Sequence, residues 1–219
     1  DIEAKFEQLY EAGVRQFVIS SDDIEASLSQ PVDGAFHAKL LNAMQDWCEE
    51  KKDCYDLIFV PSAYCYQSAT RLKVDLTSYY ASLTKDLGTK VSIMWTGDDV
   101  CSSMQSGRFN EFQSLTNRKP FFWLNWPVND YATTHLLMGK AEVLNKTLNA
   151  GEECPFSGLV TNPMQQAEES KIAIFAIAAY SWNLNAFSAQ ESYDAVFPFL
   201  DRGDSADLHE ICTHLSNAT

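Results

Sequence analysis

Short apolar runs alternate along this chain with longer stretches whose apolar residues recur every three or four positions. The longer stretches predict helices. One lies near 2–13 and ends at Gly13, and one spans Phe36–Glu50, with Leu40, Leu41, Met44 and Trp47 at helical spacing. Others cover 73–87, 107–116 and Tyr131–Asn149, the last capped by Asn129 or Asp130. A further helix opens at Asn162-Pro163, with Pro at its first position. The apolar segment 172–180 reads as a buried helix, and 189–219 as an acidic helical tail. The short runs Arg15–Ser20, Leu57–Val60, Lys90–Trp95, Pro120–Leu124 and Gly158–Thr161 predict strands, each a short apolar run as expected of parallel strands buried on both faces.

Strand–helix alternation at this spacing means βαβ units and a parallel sheet. A closed barrel takes eight strands, and five are found here. The chain is therefore either an open doubly wound sheet or an α/β fold of the (β/α)8 TIM-barrel type lacking about its first three strands. It opens on Asp1-Ile2-Glu3-Ala4-Lys5-Phe6, already in mid-helix pattern and without initiator Met or signal peptide. That opening favours the barrel with something upstream removed. The partial barrel is expected over 1–188, with 189–219 as a C-terminal extension. Polar groups stand at the ends of successive strands: Asp22-Asp23, Tyr64, Thr96, Asn125 and Asn162. In a barrel the strand C-termini converge on one mouth, so these residues are expected to line one pocket.

Bulk properties narrow the partners. The formal charge of −14 argues against nucleic acid or an anionic membrane, since both carry phosphate. No apolar stretch approaches the ~20 residues of a membrane span. The six cysteines (Cys48, Cys54, Cys65, Cys101, Cys154 and Cys212) have no CxxC spacing, which argues against a zinc ribbon or thioredoxin motif. Cys48 and Cys54 flank a turn, and the sequence leaves open whether they pair. Sequons stand at Asn145-Lys146-Thr147 and Asn217-Ala218-Thr219.

Neighbouring strand residues point to opposite faces, so Asp22 and Asp23 can serve one site only where the strand ends. Paired carboxylates are the usual equipment of glycoside hydrolysis; the bland alternative is a solvated turn or helix cap. A second pair, Asp98-Asp99, lies beyond Gly97 in a loop and reads as solvated. The segment Trp123-Leu124-Asn125-Trp126-Pro127-Val128-Asn129-Asp130-Tyr131 is rich in groups that suit a sugar, although Trp is often core and Asp130 or Asn162 could be a cap. His209-Glu210-Ile211-Cys212-Thr213-His214 has one residue too many for the zinc motif HExxH, which places its histidines about 140° apart on a helix. No metal or cofactor is expected.

Together these strings resemble the catalytic domain of glycoside hydrolase family 84, which includes β-N-acetylglucosaminidases, protein O-GlcNAc hydrolases and hyaluronidase-type toxins. The matching strings are Phe17–Ile24, Ile93-Met94-Trp95-Thr96-Gly97, Trp123–Tyr131 and Asn162–Glu168, and the similarity covers most of 5–185. The resemblance implies a retaining barrel enzyme that removes terminal β-linked N-acetylglucosamine from glycans or glycoproteins. The substrate's own 2-acetamido oxygen would act as nucleophile, through an oxazoline. Asp22 matches the carboxylate that holds the acetamido N–H, and Asp23 the general acid and later base. Tyr64, Thr96, Trp123 and Asn125 would form the acetamido pocket, Asp130 would bind the 4- and 6-hydroxyls, and Asn162 another hydroxyl. Enzymes of this resemblance are often secreted.

Two departures accompany it. The family's upstream Gly and Lys lie on early strands this chain lacks, and Cys101 stands where a small aliphatic residue is usual after Thr-Gly. The rivals are a hyaluronidase-like endo-enzyme, a non-catalytic carbohydrate-binding barrel, and an unrelated α/β protein with a chance Asp-Asp.

Overall fold

The computed structural model describes residues 2–23, 33–104, 106–144, 153–200 and 205–215. Both sequons and Ile24 of the first matching string lie outside them. Five strands, β1 (Val18–Ser20), β2 (Ile58–Val60), β3 (Ser92–Trp95), β4 (Phe121–Leu124) and β5 (Gly158–Thr161), form one sheet in the order β1-β2-β3-β4-β5. Pairing is parallel from β1 to β4, with Val18 opposite Ile58, Ile58 opposite Ser92 and Met94 opposite Phe121. Strand neighbours thus follow chain order, with α-helices between successive strands from β1 to β4, the α/β, TIM-barrel type of sheet.

The chain divides into two compact units. The first comprises Asp1–Val100, Gly107–Phe122 and Phe156–Gly158. Here α2 (Gly34–Glu50) starts where the Asp33 carboxylate accepts from the Ala35 N–H at 2.9 Å. It buries Ala38, Leu41, Met44, Trp47 and Cys48, one stripe at helical spacing. Helix α4 (Leu76–Asp86) is capped by Asp75 on the Ser78 N–H and buries Leu76, Tyr79, Tyr80 and Leu83. Helix α1 (Ile2–Glu11) is tied to β1 through stacked rings: Phe6 lies 4.5 Å from Phe17, and both meet Trp47 edge-on. Beyond β3, α5 (Ser106–Thr116) sets Phe109 against Phe122 of β4.

A helix not anticipated, α3 (Tyr66–Leu72), follows β2. Its cap is Cys65, whose sulfur accepts from the Ser68 N–H while the Ser68 hydroxyl accepts from the Cys65 N–H. All six cysteines are thiols, so Cys48 and Cys54 are not paired.

The second unit comprises Cys101–Ser106, Trp123–Pro155 and Leu159–Thr219. It contains α6 (Lys171–Trp182) and, within residues 189–219, α7 (Ala189–Leu200) and α8 (Ser205–Thr213). Two expected helices are corrected. Between Tyr131 and Leu144 there are turns and one short 3-10 segment, Glu142–Leu144. Backbone groups that an α-helix would pair are used elsewhere: Leu137 N–H points to the Met164 sulfur, Met138 N–H to Leu215 O, and His135 O accepts from the Asn129 side-chain amide. Likewise Asn162-Pro163 opens no helix, because residues 162–170 are turns and α6 begins at Lys171. Segment 172–180 is only half buried: Ile172, Ala173, Ala176 and Tyr180 face inward, while Ile174 and Ala178 are exposed. No helix among the described residues is long and apolar enough to cross a membrane.

Candidate functional site

In the first unit the ends of β1, β2 and β3 bring four of the sequence-derived residues together. The chain leaving β1 is held beside that leaving β2: Ser21 N–H donates to Val60 O at 2.8 Å, and the Ser62 hydroxyl to Ser21 O at 2.6 Å. The chain leaving β2 meets that leaving β3 through Thr96 N–H to Tyr64 O and Tyr66 N–H to Gly97 O. Asp22, Asp23, Tyr64 and Thr96 thus occupy one edge of the sheet.

Asp22 is half-buried, and the Ser20 hydroxyl two residues back hydrogen-bonds its carboxylate. Burial pushes its pKa above the ordinary aspartate range, the Asp23 charge adds to that, and the hydrogen bonds from its own backbone and from Ser20 oppose it. Asp23 is exposed and has φ of 51°, a left-handed conformation unusual outside glycine. Its carboxylate forms an ion pair with Arg71 of α3, Nη2 to Oδ1 3.5 Å.

Tyr64 is buried, and burial raises its pKa, with the charges of Asp23 and Asp22 also raising it and Arg71 opposing. It remains a phenol, able to donate, at any ordinary pH. Thr96 is buried with its hydroxyl donating to Asp99 O at 2.7 Å. Its strand neighbour Trp95 packs on Tyr80 and Phe112 of the flanking helices, so alternation turns Thr96 to the opposite face.

Asp98 is not the solvated loop residue expected from sequence. Arg108 Nε lies 2.8 Å from its Oδ1, and its carbonyl accepts from Gln67 N–H, so it closes a loop.

The second unit carries the other sequence-derived residues. Phe122 faces α5, so alternation places Trp123 and Asn125 on the opposite face of β4. Asn125 is buried, and its side-chain oxygen accepts from Asn162 Nδ2 at 3.2 Å. Asn162 also donates its N–H to Leu124 O and accepts from Val128 N–H, so it bridges the two strand ends rather than capping a helix. Asp130 and Cys101 are exposed, and both lie close enough to Tyr131 to raise its pKa, burial being the larger cause.

His209 and His214 of the rejected zinc motif engage different carboxylates. His209 Nε2 lies 2.9 Å from Asp194, and His214 Nε2 3.6 Å from Glu210. Sequence reasoning missed Ser20 and Arg71. Parity with Asp22 along β1 would have found Ser20; Arg71 lies on the helix that was not anticipated.

The chain matches the family model for β-N-acetylglucosaminidase over residues 1–213. Among solved structures it is similar to CpGH84D, with 37% identity and a TM-score of 0.85 over 99% of this chain and 34% of that one. It is similar to CpGH84B at 27% identity and TM-score 0.84, over 98% of this chain and 37% of that one. A mutant O-GlcNAc hydrolase from Thermobaculum terrenum shares the fold at 22% identity and TM-score 0.75, over 94% of this chain and 45% of that one. The chain thus spans about a third of the length of the first two. With the family pattern covering nearly its whole length, the chain belongs to the β-N-acetylglucosaminidase family.

Proposed function

We propose that the protein is a retaining glycosidase that releases terminal β-linked N-acetylglucosamine from a glycan or glycoprotein by substrate-assisted catalysis. The observation that carries this reading is the adjacent pair Asp22 and Asp23 at the end of β1, one half-buried and the other exposed. Neighbouring carboxylates in unlike surroundings can take unlike roles.

In the first step the acetamido oxygen of the bound sugar attacks C1. Asp22 accepts a hydrogen bond from the acetamido N–H, which makes that oxygen more nucleophilic and offsets the positive charge growing on the amide. Asp23 gives its proton to the glycosidic oxygen as the C1–O bond breaks. In the second step Asp23 takes a proton from water as the water oxygen bonds to C1 and the oxazoline opens. Tyr64, kept as a phenol by burial, supplies a donor beside the two carboxylates. The roles of Thr96, Trp123, Asn125, Asp130 and Asn162 in holding the sugar rest on the family pattern, from which Cys101 departs. The match to the family model favours an N-acetylglucosaminide as substrate.

The test is hydrolysis of a chromogenic β-N-acetylglucosaminide by the protein at its full natural length, beside its Asp23→Asn variant. Loss of general acid–base help should lower turnover about 10²–10⁴-fold. No turnover by the folded protein would overturn the enzyme reading and leave a carbohydrate-binding module.

A further inference from the structure

Arg71 stands in the last turn of α3, where a cation complements the negative end of the helix. The helix is fixed at its start by the Cys65–Ser68 capping box, one residue after Tyr64. At its end Lys73 takes a left-handed conformation (φ 56°) whose N–H closes on Ala69 O and Thr70 O. This short, doubly terminated helix delivers the guanidinium to Asp23. Arg71 also acts on Tyr64, where its charge opposes those of Asp23 and Asp22. Asp22, Asp23, Tyr64 and Arg71, from beyond the ends of β1 and β2 and from α3, are therefore electrostatically coupled.

We propose that Arg71 is the positioning residue of the acid/base step: it holds the Asp23 carboxyl in place and offsets the negative charge that Asp23 acquires as its proton leaves. This rests on the reading of Asp23 as acid/base. As the proton passes from Asp23 to the glycosidic oxygen, the C1–O bond to the leaving group breaks and the acetamido oxygen bonds to C1. Negative charge then appears on Asp23, 3.5 Å from the guanidinium nitrogen. The cation matters most for leaving groups that cannot depart unprotonated, and least for those that leave unaided.

The pair is not a major stability element. The Arg71 and Asp23 side chains are 48% and 74% exposed, and ion pairs so exposed contribute little to folding. Arg71 can therefore be replaced in a protein that still folds.

Arg71→Met and Arg71→Lys are compared with the unaltered protein, at full natural length, on two β-N-acetylglucosaminides. One has a dinitrophenyl leaving group that needs no proton, and the other an unactivated phenyl group. Arg71→Met should lower kcat on the phenyl substrate about tenfold and on the dinitrophenyl substrate less than about twofold, with KM and Tm unchanged and Lys restoring most of the loss. Equal loss on both substrates would show a merely structural role, and no loss on either would show none; each overturns the proposal. Asp23→Asn is measured alongside. If it keeps full phenyl activity, the acid/base reading itself fails. If it collapses while Arg71→Met is neutral, only the role of Arg71 fails.

Discussion

Helices α2 and α4 approach closely at Gly34, the first residue of α2. A Cβ added there would lie 2.5 Å from the Tyr79 carbonyl oxygen and 2.7 Å from the Leu83 backbone nitrogen, with Ser82 Oγ at 3.0 Å. Comfortable contacts between heavy atoms are about 3.5 Å or more, so the overlap approaches roughly 1 Å. Two of the three atoms are helix backbone and cannot rotate away, so the helices must slide apart. Overpacking of this kind costs about 1–3 kcal/mol, and the better helix propensity of Ala returns at most about 1 kcal/mol. Gly34→Ala should therefore lose about 1–2 kcal/mol, a fall in Tm of roughly 2–8 °C for a chain of this size. Gly88→Ala is the control, because its Cβ would meet only the Asn42 side-chain oxygen at 3.3 Å. That variant should stay within about 0.5 kcal/mol of the unaltered protein. Calorimetry on both variants decides the matter. A Gly34→Ala protein that melts at or above the unaltered one would refute the packing of α2 on α4.

Asp22→Asn should separate stability from activity. The folded pKa of Asp22 is raised, chiefly by burial, so its contribution to stability is complete below the ordinary aspartate value of about 3.9 and is lost as pH rises through the folded pKa. At pH 7 the Asn variant should melt higher than the unaltered protein and the gap should close in acid, while turnover falls on the order of 10²-fold or more; a lower melting point at pH 7 would contradict the sign. Cys101 is exposed, whereas burial pushes the Cys48 thiol up to about 11. Brief maleimide treatment at neutral pH, followed by peptide mass mapping, should find Cys101 modified before Cys48, and the reverse order would refute the placement of these thiols.

The strands were legible because each is centred on a short apolar run, although only β2 is buried throughout, and β5 begins and ends where its run does, Gly158–Thr161. The site residues at strand ends were legible for the same reason: finding where an apolar run stops locates Asp22, Tyr64, Thr96 and Asn125. What local pattern did not reveal depends on partners distant in sequence. The apolar spacing of Leu136, Leu137, Ala141 and Leu144 suits a helix, but Leu137 and Met138 give their N–H groups to Met164 and Leu215. Asn162 has the local signature of a helix cap, yet its bonds run to Leu124, Asn125 and Val128, 34 or more residues earlier. Helix α3 was missed because cysteine is an uncommon cap and Tyr66–Leu72 has little apolar periodicity. Missing that helix meant missing Arg71 with it. Asp98 was misread similarly, since its partner Arg108 is ten residues on and belongs to another element.

The same reasoning explains how two adjacent carboxylates can work together. Along β1, side chains alternate: Phe17 and Ile19 are buried in the core, while Val18 and Ser20 are exposed on the other side. Continued alternation would place Asp22 with Ser20, as the hydrogen bond between them requires, and would send Asp23 toward the core. Asp23 is not in the core; it is exposed, and its φ of 51° is where the extended strand geometry ends. Aspartate tolerates this left-handed conformation better than most residues, but at a cost of about 1 kcal/mol over an ordinary backbone. A glycine would relieve that cost and remove the carboxyl. That local strain, carried by a charged residue at a strand end and beside Arg71, supports the acid/base role proposed for Asp23.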